Sequence, residues 1–273
     1  MINYTDNIWR LMSDIVERVP TLEFLDMNKV LVFARAGRAQ AEGPYATCHC
    51  LCLPESEPGY YYWRDRRTGL LTRRSEWFVT KSPIVKVGTV TIDYMVSFAL
   101  PRFCDQSLSR SRKLAHYSGH ENWITKLDTI VHELYHIDPE RAGIRRMERA
   151  DGTASAHCHG QHFFRHVVSM MKQYLATNPN PETYDFLRHD FAQLQQRFGG
   201  VVGTTFRAFP SYPQRYTEAL VPQPLSVDAE YCRIDPIKPT RLAKVFTEDD
   251  LVIREFLEQT SRRLVRKGAF RAA

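Results

Sequence analysis

The segment WITKLDTIVHELYH, residues 123–136, constrains the fold of this chain more than any other part of its sequence. Its apolar residues recur with the 3.6-residue period of an α-helix that packs one face against a core. These positions are Trp123, Ile124, Leu127, Ile130, Val131, Leu134 and Tyr135. Pro139 cannot donate a backbone hydrogen bond, so it fixes the end of the helix soon after His136. The pattern predicts a core helix whose last turns carry His132, Glu133 and His136.

The end of this helix has the arrangement of a metal site with an adjacent base. Residues four apart share one helix face, so His132 and His136 can present two imidazole nitrogens to one ion. Zinc lowers the pKa of a bound water to about 7, and a nearby carboxylate, here Glu133, can take its proton during attack on a peptide carbonyl. This is the logic of the H-E-x-x-H motif of zinc proteases, so we predict Zn²⁺ as the cofactor. Tyr135 and the arginines of residues 141–149 are near in sequence and are candidates for stabilising the oxyanion.

A catalytic zinc ion needs a third protein ligand and one open position. The segment SAHCHGQHFFRH, residues 155–166, offers several candidates. His159 is the first choice, because it stands at the start of the next predicted helix and projects toward the neighbouring one. From spacing alone His157, His162 and Cys158 remain alternatives, since one tetrahedral ion cannot bind them all. The predicted metal ligands are His132, His136 and His159.

The periodicities along the chain predict an α+β fold. Residues 5–19 read as an N-terminal helix, and strand patterns between 29 and 100 indicate a mixed β-sheet. Helical patterns follow at 159–181 and 181–200. We therefore predict a zincin-like metallopeptidase domain over residues 1–200, with the HExxH helix in its helical half.

The C-terminal part has a different composition. Residues 201–240 hold six prolines and little periodicity, which predicts a Pro-rich linker or wrapping arm. Residues 241–273 are predicted to form an amphipathic basic helix, centred on 247–267. This segment has acids where the first turn would be and bases where the last would be, as the helix dipole favours.

The charge of the chain permits a second kind of partner. The formal net charge is +6, and basic clusters occur at 64–67, 110–113 and 261–271. An aromatic run at 60–63 precedes the first cluster, and such side chains can stack on bases. These features predict contact with DNA through basic patches as an alternative or additional property.

The cysteines and the N-terminus bear on the cellular compartment. Cys48, Cys50 and Cys52 would share one face of a strand, where neighbours two apart are poorly placed to form a disulfide. Reduced thiols fit a cytoplasmic protein. The N-terminus lacks a basic region followed by an apolar run, and no stretch reaches the ~20 apolar residues of a membrane span. We expect a cytoplasmic protein without membrane contact.

Several segments resemble the bacterial and phage metallopeptidase family that carries the HELYHI motif. They are VSFALPRFCDQ (96–106), LDTIVHELYHIDPE (127–140) and YDFLRHDFAQLQQRFGGVVG (184–203). The likeness covers about residues 5–205. HELYH followed by HGQHF is also similar to the H-G-x-x-F pattern of SprT-like zinc proteases, which include enzymes that degrade proteins crosslinked to DNA.

The resemblance implies a zinc-dependent endopeptidase with protein or peptide substrates. By this likeness the zinc ligands would be His132, His136 and His159, and the base would be Glu133. Such enzymes often bind the substrate as an added strand along a sheet edge. Two other functions stay open from the sequence: a nucleic-acid-associated protein, including a DNA-recruited SprT-like protease, and a metal-binding protein without turnover.

Overall fold

The protein has both helices and mixed sheets, which confirms the predicted α+β class. The computed structural model describes residues 1–37, 43–51, 60–64, 71–76, 83–109, 111, 113–140, 143–145, 158–208, 216–223, 245–258 and 262–267. Within residues 60–64, 71–76, 216–223 and 262–267 the description is of the backbone. Among these described parts, no helix is both long enough and apolar enough to cross a bilayer.

The helices and strands of the described residues follow one another without an internal repeat. The helices are α1 (Tyr4–Arg18), α2 (Leu114–Tyr117), α3 (Trp123–Tyr135), α4 (Gln161–Ala176) and α5 (Phe191–Phe198). The strands are β1 (Ile2–Asn3), β2 (Val30–Gly37), β3 (Ala46–Cys50), β4 (Tyr60–Arg64), β5 (Leu71–Glu76), β6 (Ile84–Val87), β7 (Val90–Thr91), β8 (Tyr94–Pro101), β9 (Ile137–Asp138), β10 (Gly143–Ile144), β11 (Val201–Phe206), β12 (Tyr216–Gln223), β13 (Val245–Phe246), β14 (Leu251–Phe256) and β15 (Arg262–Lys267).

The sheet that supports the helices has the strand order β2-β8-β3. The middle strand, β8, runs parallel to β2 and antiparallel to β3, so β3 forms an edge. The other sheets have the orders β1-β11-β14-β15, β13-β6-β7, β12-β5-β4 and β10-β9.

Apolar side chains cover both faces of the central sheet, because β2 and β8 alternate their side chains between two cores. On one face Val32 and Phe98 join the large core that the helices complete. On the other face a smaller core consists of Leu31, Phe33, Val85, Ile92, Met95, Phe206, Phe246 and Leu251. Burial on both faces explains why β8 is buried along its whole length.

Helix α1 matches the helix predicted at residues 5–19. The side chain of Asn3 caps its first turn by accepting a hydrogen bond from the N–H of Asp6. One apolar stripe faces the core: Ile8, Leu11, Met12, Ile15 and Val16. Pro20 begins a separate 3-10 turn, so α1 ends just before it.

Helix α3 lies deep in the protein. Of its residues, all but Trp123 and His132 are buried. It packs against β3, α1 and α4, which hold its last turns against the edge of the central sheet. This placement explains why the segment is more apolar than a surface helix would be.

The predicted helix at 181–200 is shorter than expected. Two 3-10 turns, Pro181–Thr183 and Asp185–Arg188, occupy its first half. Helix α5 starts at a capping box between Asp190 and Gln193 and ends at Gly199, whose φ of 68° suits a residue without a side chain. The backbone is extended at His189 and Asp190, and the capping box begins a new helix after them.

The predicted amphipathic basic helix at 247–267 is wrong. Residues 248–250 form one 3-10 turn, after which β14 pairs antiparallel with β11 and β15 pairs antiparallel with β14. Leu251, Val252 and Phe256 are buried. Pairing with β11 buries the apolar side chains of LVIREF. This burial stabilises the strand more than the helix dipole would stabilise the charged residues in a helix.

The predicted domain boundary at residue 200 is also wrong. Strand β11 is buried throughout and pairs in parallel with β1, so residues 201–206 belong to the domain before them. Tyr216–Gln223 forms a strand beside β5 rather than an irregular arm. The rest of the predicted linker, residues 209–215 and 224–240, lies outside the described residues.

Candidate metal centre

Three histidine nitrogens converge on one point at the end of α3. His132 lies on its last turn, His136 directly follows the helix, and His159 lies two residues before α4. The Nε2 atoms of His132 and His136 are 3.1 Å apart, and His159 Nε2 is 3.0 Å from the first and 3.1 Å from the second. The structure therefore brings together the three residues that the sequence selected as metal ligands.

The donor set fits a metal ion better than it fits a hydrogen-bonded cluster. Each Nε2 has a single in-plane lone pair or a single N–H, so three converging nitrogens cannot satisfy one another in pairs. Three nitrogens bound to a tetrahedral zinc at ~2.0–2.1 Å lie roughly 3.3 Å apart, close to the separations seen here. His132, His136 and His159 thus form a cluster that could hold a metal ion.

The environment keeps these imidazoles neutral, which is the form that binds metals. Burial lowers the pKa of His132 to about 2 and the pKa of His136 to about 3, and the neighbouring histidines add to both shifts. His159 is the most exposed of the three, and partial burial of its ring still lowers its pKa. The Nδ1 atom of His136 is buried and has no hydrogen-bond partner within the described part of the chain.

One aromatic ring supports all three histidines. Phe163 on α4 is buried, and its ring centroid lies 4.9 Å from the ring centroid of each of the three imidazoles. In the sequence this phenylalanine is the last residue of the H-G-x-x-F pattern. Its position gives that spacing a role, because Phe163 lies in the first turn of α4, directly after the loop that carries His159.

We expect Phe163→Ala to weaken zinc binding by about 10–100-fold, the range typical of residues that orient metal ligands. The measurement is competition with a chelator of known affinity. The control is Phe246→Ala, which removes a similarly buried ring from the second core. Both variants lose about 3–5 kcal/mol of stability, so equal zinc affinities in the two folded variants would contradict the orienting role.

Glu133 lies beside the histidine cluster in a nearly dry environment. Its side chain is buried, and burial raises the pKa of its carboxyl group to about 7. The backbone N–H of Cys48 donates a hydrogen bond to the carboxylate, and the charges of Lys113 and Arg35 oppose the shift. The carboxylate is therefore fixed by the edge strand β3 rather than by solvent.

The backbone of β3 presents polar groups to this site. The C=O of Tyr45 accepts from the N–H of Ala99, and the N–H of Leu51 donates to the C=O of Asp93. In an antiparallel pair, residues with such bonds alternate with residues whose backbone groups point away from the partner strand. The N–H and C=O groups of Ala46 and Cys48 therefore point to the side of β3 on which the described residues form no paired strand. The Cys48 bond to Glu133 agrees with this direction.

A cleft of about 610 Å³ runs between β3 and α3. The three clustered histidines and Glu133 form part of its floor, and β3 forms one wall. Its lining comprises Pro44, Tyr45, Ala46, Thr47, Cys48, Gln106, Ser111, Lys113, Thr129, His132, Glu133, His136, Ile144, Cys158, His159 and Phe164. A second cavity of about 510 Å³ is lined by residues at the start of α3, including the buried Lys126.

The candidates for oxyanion stabilisation have other partners. The hydroxyl of Tyr135 lies 2.6 Å from Nδ1 of His166, and neither Tyr135 nor Arg145 lines the cleft. Arg145 instead donates to the carbonyls of Tyr135 and Ile137 and lies over the Tyr135 ring. It satisfies carbonyls at the end of α3. The other arginines of residues 141–149 lie outside the described residues.

The structure places two of the alternative third ligands, and neither belongs to the cluster of ligand atoms. His162 is exposed on α4 and is not part of the cluster. Cys158 lines the cleft and forms no disulfide within the described residues, but the cluster of ligand atoms does not include it. His157 lies outside the described residues.

Sequence reasoning missed a polar network at one end of the cleft. Lys113 forms a 2.6 Å ion pair with Asp128 and donates to the hydroxyl of Thr129 at 2.6 Å. Tyr117 donates to the other oxygen of Asp128. Asp128 and Thr129 could have been noticed as polar residues within the apolar pattern of α3, but their partners come from the preceding loop and the short helix α2, which have no periodicity of their own.

Comparisons of the chain with protein-family models, with curated proteins and with solved structures found no match. The resemblance noted from the sequence therefore depends on the motif residues themselves.

Proposed function

We propose that this chain is a zinc-dependent metallopeptidase that hydrolyses peptide bonds with Glu133 as general base. The observation that carries the proposal is the convergence of three imidazole nitrogens beside a buried carboxylate, in a cleft edged by a β-strand. A metal scaffold without turnover has no need of a carboxylate at this position. A cytoplasmic location is part of the proposal, because Cys48, Cys50, Cys104 and Cys158 form no disulfide within the described residues.

Zinc is the ion that this donor set favours. Three neutral imidazoles with one open position are a common ligand set of catalytic zinc, whereas magnesium and calcium prefer oxygen ligands. When bound, zinc supplies Lewis-acid chemistry, which polarises a carbonyl and makes water a better nucleophile at neutral pH. His132, His136 and His159 would hold the ion.

Glu133 has the position that proton transfer requires. It follows a ligand on the same helix, and the Cys48 N–H fixes its carboxylate within the cleft. In the proposed reaction the carboxylate accepts a proton from the attacking water and donates it to the leaving amine. Burial excludes bulk water from this transfer.

The edge strand supports a peptide as the substrate. The outward N–H and C=O of Ala46 can pair with an extended chain lying in the cleft. Such pairing recognises backbone rather than side chains. The proposed substrate is therefore an unfolded protein or a flexible segment, which can adopt the extended form.

The test is hydrolysis of a denatured protein by zinc-loaded enzyme. We expect a chelator to stop the cleavage and about one equivalent of zinc to restore it. Protein that holds zinc and cleaves none of a set of denatured proteins and peptides would instead support the alternative of a non-catalytic metal-binding protein.

Contact with DNA stays a prediction. The net charge of +6 supports it, but the side chains of residues 60–67 and 261–271 lie outside the described residues. Binding that weakens steeply with salt would indicate contacts with phosphates. Such binding is compatible with a peptidase that DNA recruits.

A further inference from the structure

The two ends of the cleft differ in polarity. Toward the start of α3, Thr129 lies one turn before Glu133, and its hydroxyl contacts Gln106 at 3.1 Å and Lys113 at 2.6 Å. Ser111 completes the polar lining at this end. A side chain that lies here meets hydroxyl, amide and ammonium groups.

The described residues at the other end of the cleft are apolar. Ile144 pairs with Ile137 just beyond the end of α3 and lines the cleft together with Cys158 and Phe164. Phe164 follows Phe163 on α4. Phe163 is buried, whereas 45% of the surface of Phe164 is exposed. This end therefore presents an unburied aromatic ring to whatever occupies the cleft.

The exposed ring lies next to the candidate metal ligands. Its centroid is 5.6 Å from the His159 ring, with the two rings nearly parallel at 18°, and 5.9 Å from the His132 ring. A substrate group held at the histidine cluster thus has its neighbouring side chain within reach of Phe164. Apolar surface inside a cleft with a few polar groups is typical of a pocket that selects its ligand.

We infer that Phe164 selects peptides with a bulky apolar side chain beside the scissile bond, on one side of that bond alone. The inference rests on the proposed peptidase function. A phenylalanine or leucine side chain of the peptide that covers the Phe164 ring strengthens binding, because the side chain and the ring both lose contact with water. The same side chain at the Gln106 end would displace water from polar groups without replacing the hydrogen bonds of that water, which weakens binding. The preference is therefore asymmetric.

The first test is binding, which does not require turnover. The probes are two short peptide hydroxamates that differ in one side chain, phenylalanine or glycine, titrated into zinc-loaded protein. We expect the phenylalanine probe to bind about tenfold or more tightly, as burial of an aromatic side chain provides. Phe164→Ala should reduce this ratio to about threefold or less. Phe24→Ala, which removes an equally exposed ring that is not among the cleft-lining residues, should leave the ratio unchanged.

The second test maps cleavage sites in a peptide library by mass spectrometry. Enrichment of large apolar residues on one side of the cut, lost in Phe164→Ala, is the expected result. Equal binding of the two probes by zinc-loaded wild type, or absence of binding by either, would overturn the inference. Binding that discriminates between the probes, without any cleavage of the library, would refute the peptidase and leave the pocket established.

Discussion

Replacing Glu133 with glutamine is expected to lower peptide hydrolysis by about 10²–10⁴-fold, the usual contribution of a general base. Glutamine has nearly the same shape, and its Oε1 can still accept the hydrogen bond from the Cys48 N–H. It cannot take a proton from water at neutral pH. The variant should therefore keep the fold and its zinc while losing turnover.

The measurements are the rate of hydrolysis and the zinc content of the same preparation. Glu23→Gln is the matched control, since it removes one carboxylate from an exposed position. We expect this control to retain wild-type activity. A zinc-loaded Glu133→Gln protein with undiminished turnover would exclude Glu133 as the base.

Removal of His159 should have the second large effect. We expect His159→Ala to weaken zinc binding by more than about 100-fold, because even residues that merely orient metal ligands contribute about 10–100-fold. The two histidines left on α3 and its end would hold the ion from one side. The wild type should contain about one zinc per chain, and the variant close to none after dialysis.

His162→Ala provides the comparison for this experiment. His162 lies three residues further along, in the first turn of α4, is exposed, and does not belong to the cluster. Elemental analysis should find its zinc content unchanged. Zinc lost in His162→Ala and kept in His159→Ala would reassign the third ligand, and zinc kept in both would direct attention to His157.

The site was predictable to the extent that local periodicity determines it. His132, Glu133 and His136 share one helix, so their spacing alone specifies how they face one another. His159 comes from a different element, and the crowding of histidines at 157–166 left its selection open. The structure distinguishes it from His162 because the loop before α4 turns residue 159 toward α3, and no sequence period records that turn.

The C-terminal strands show where local patterns fail. LVIREF carries a β-branched run, but the acids before it and the bases after it suit a helix equally well. Its state depends on β11, about fifty residues earlier in the chain, with which it pairs across the sheet. A partner strand so far away in the sequence leaves no mark on the local sequence pattern. Burial against that strand nevertheless makes residues 251–256 a strand rather than a helix.

The cleft itself was not predictable for the same reason. Glu133 owes its fixed position to the N–H of Cys48, and the polarity difference between the two ends arises from segments before and after α3 in the chain. Phe164 looks like any apolar residue of an amphipathic helix. Its exposure follows from the way α4 packs, which brings Phe163 inward and leaves Phe164 at the surface.

The parallel pairing of β1 with β11 sets an order of events during protein synthesis. Ile2 aligns with Val201, and the hydroxyl of Thr5 accepts a hydrogen bond from the N–H of Thr204 at 2.9 Å. Ribosomes add about 5–20 residues per second, so the first turn of α1 waits on the order of 10–40 s for these partners. Helix α1 also packs against α3. The nascent chain therefore contains His132, His136 and His159 before α1, which packs against α3, has gained its partners on β11.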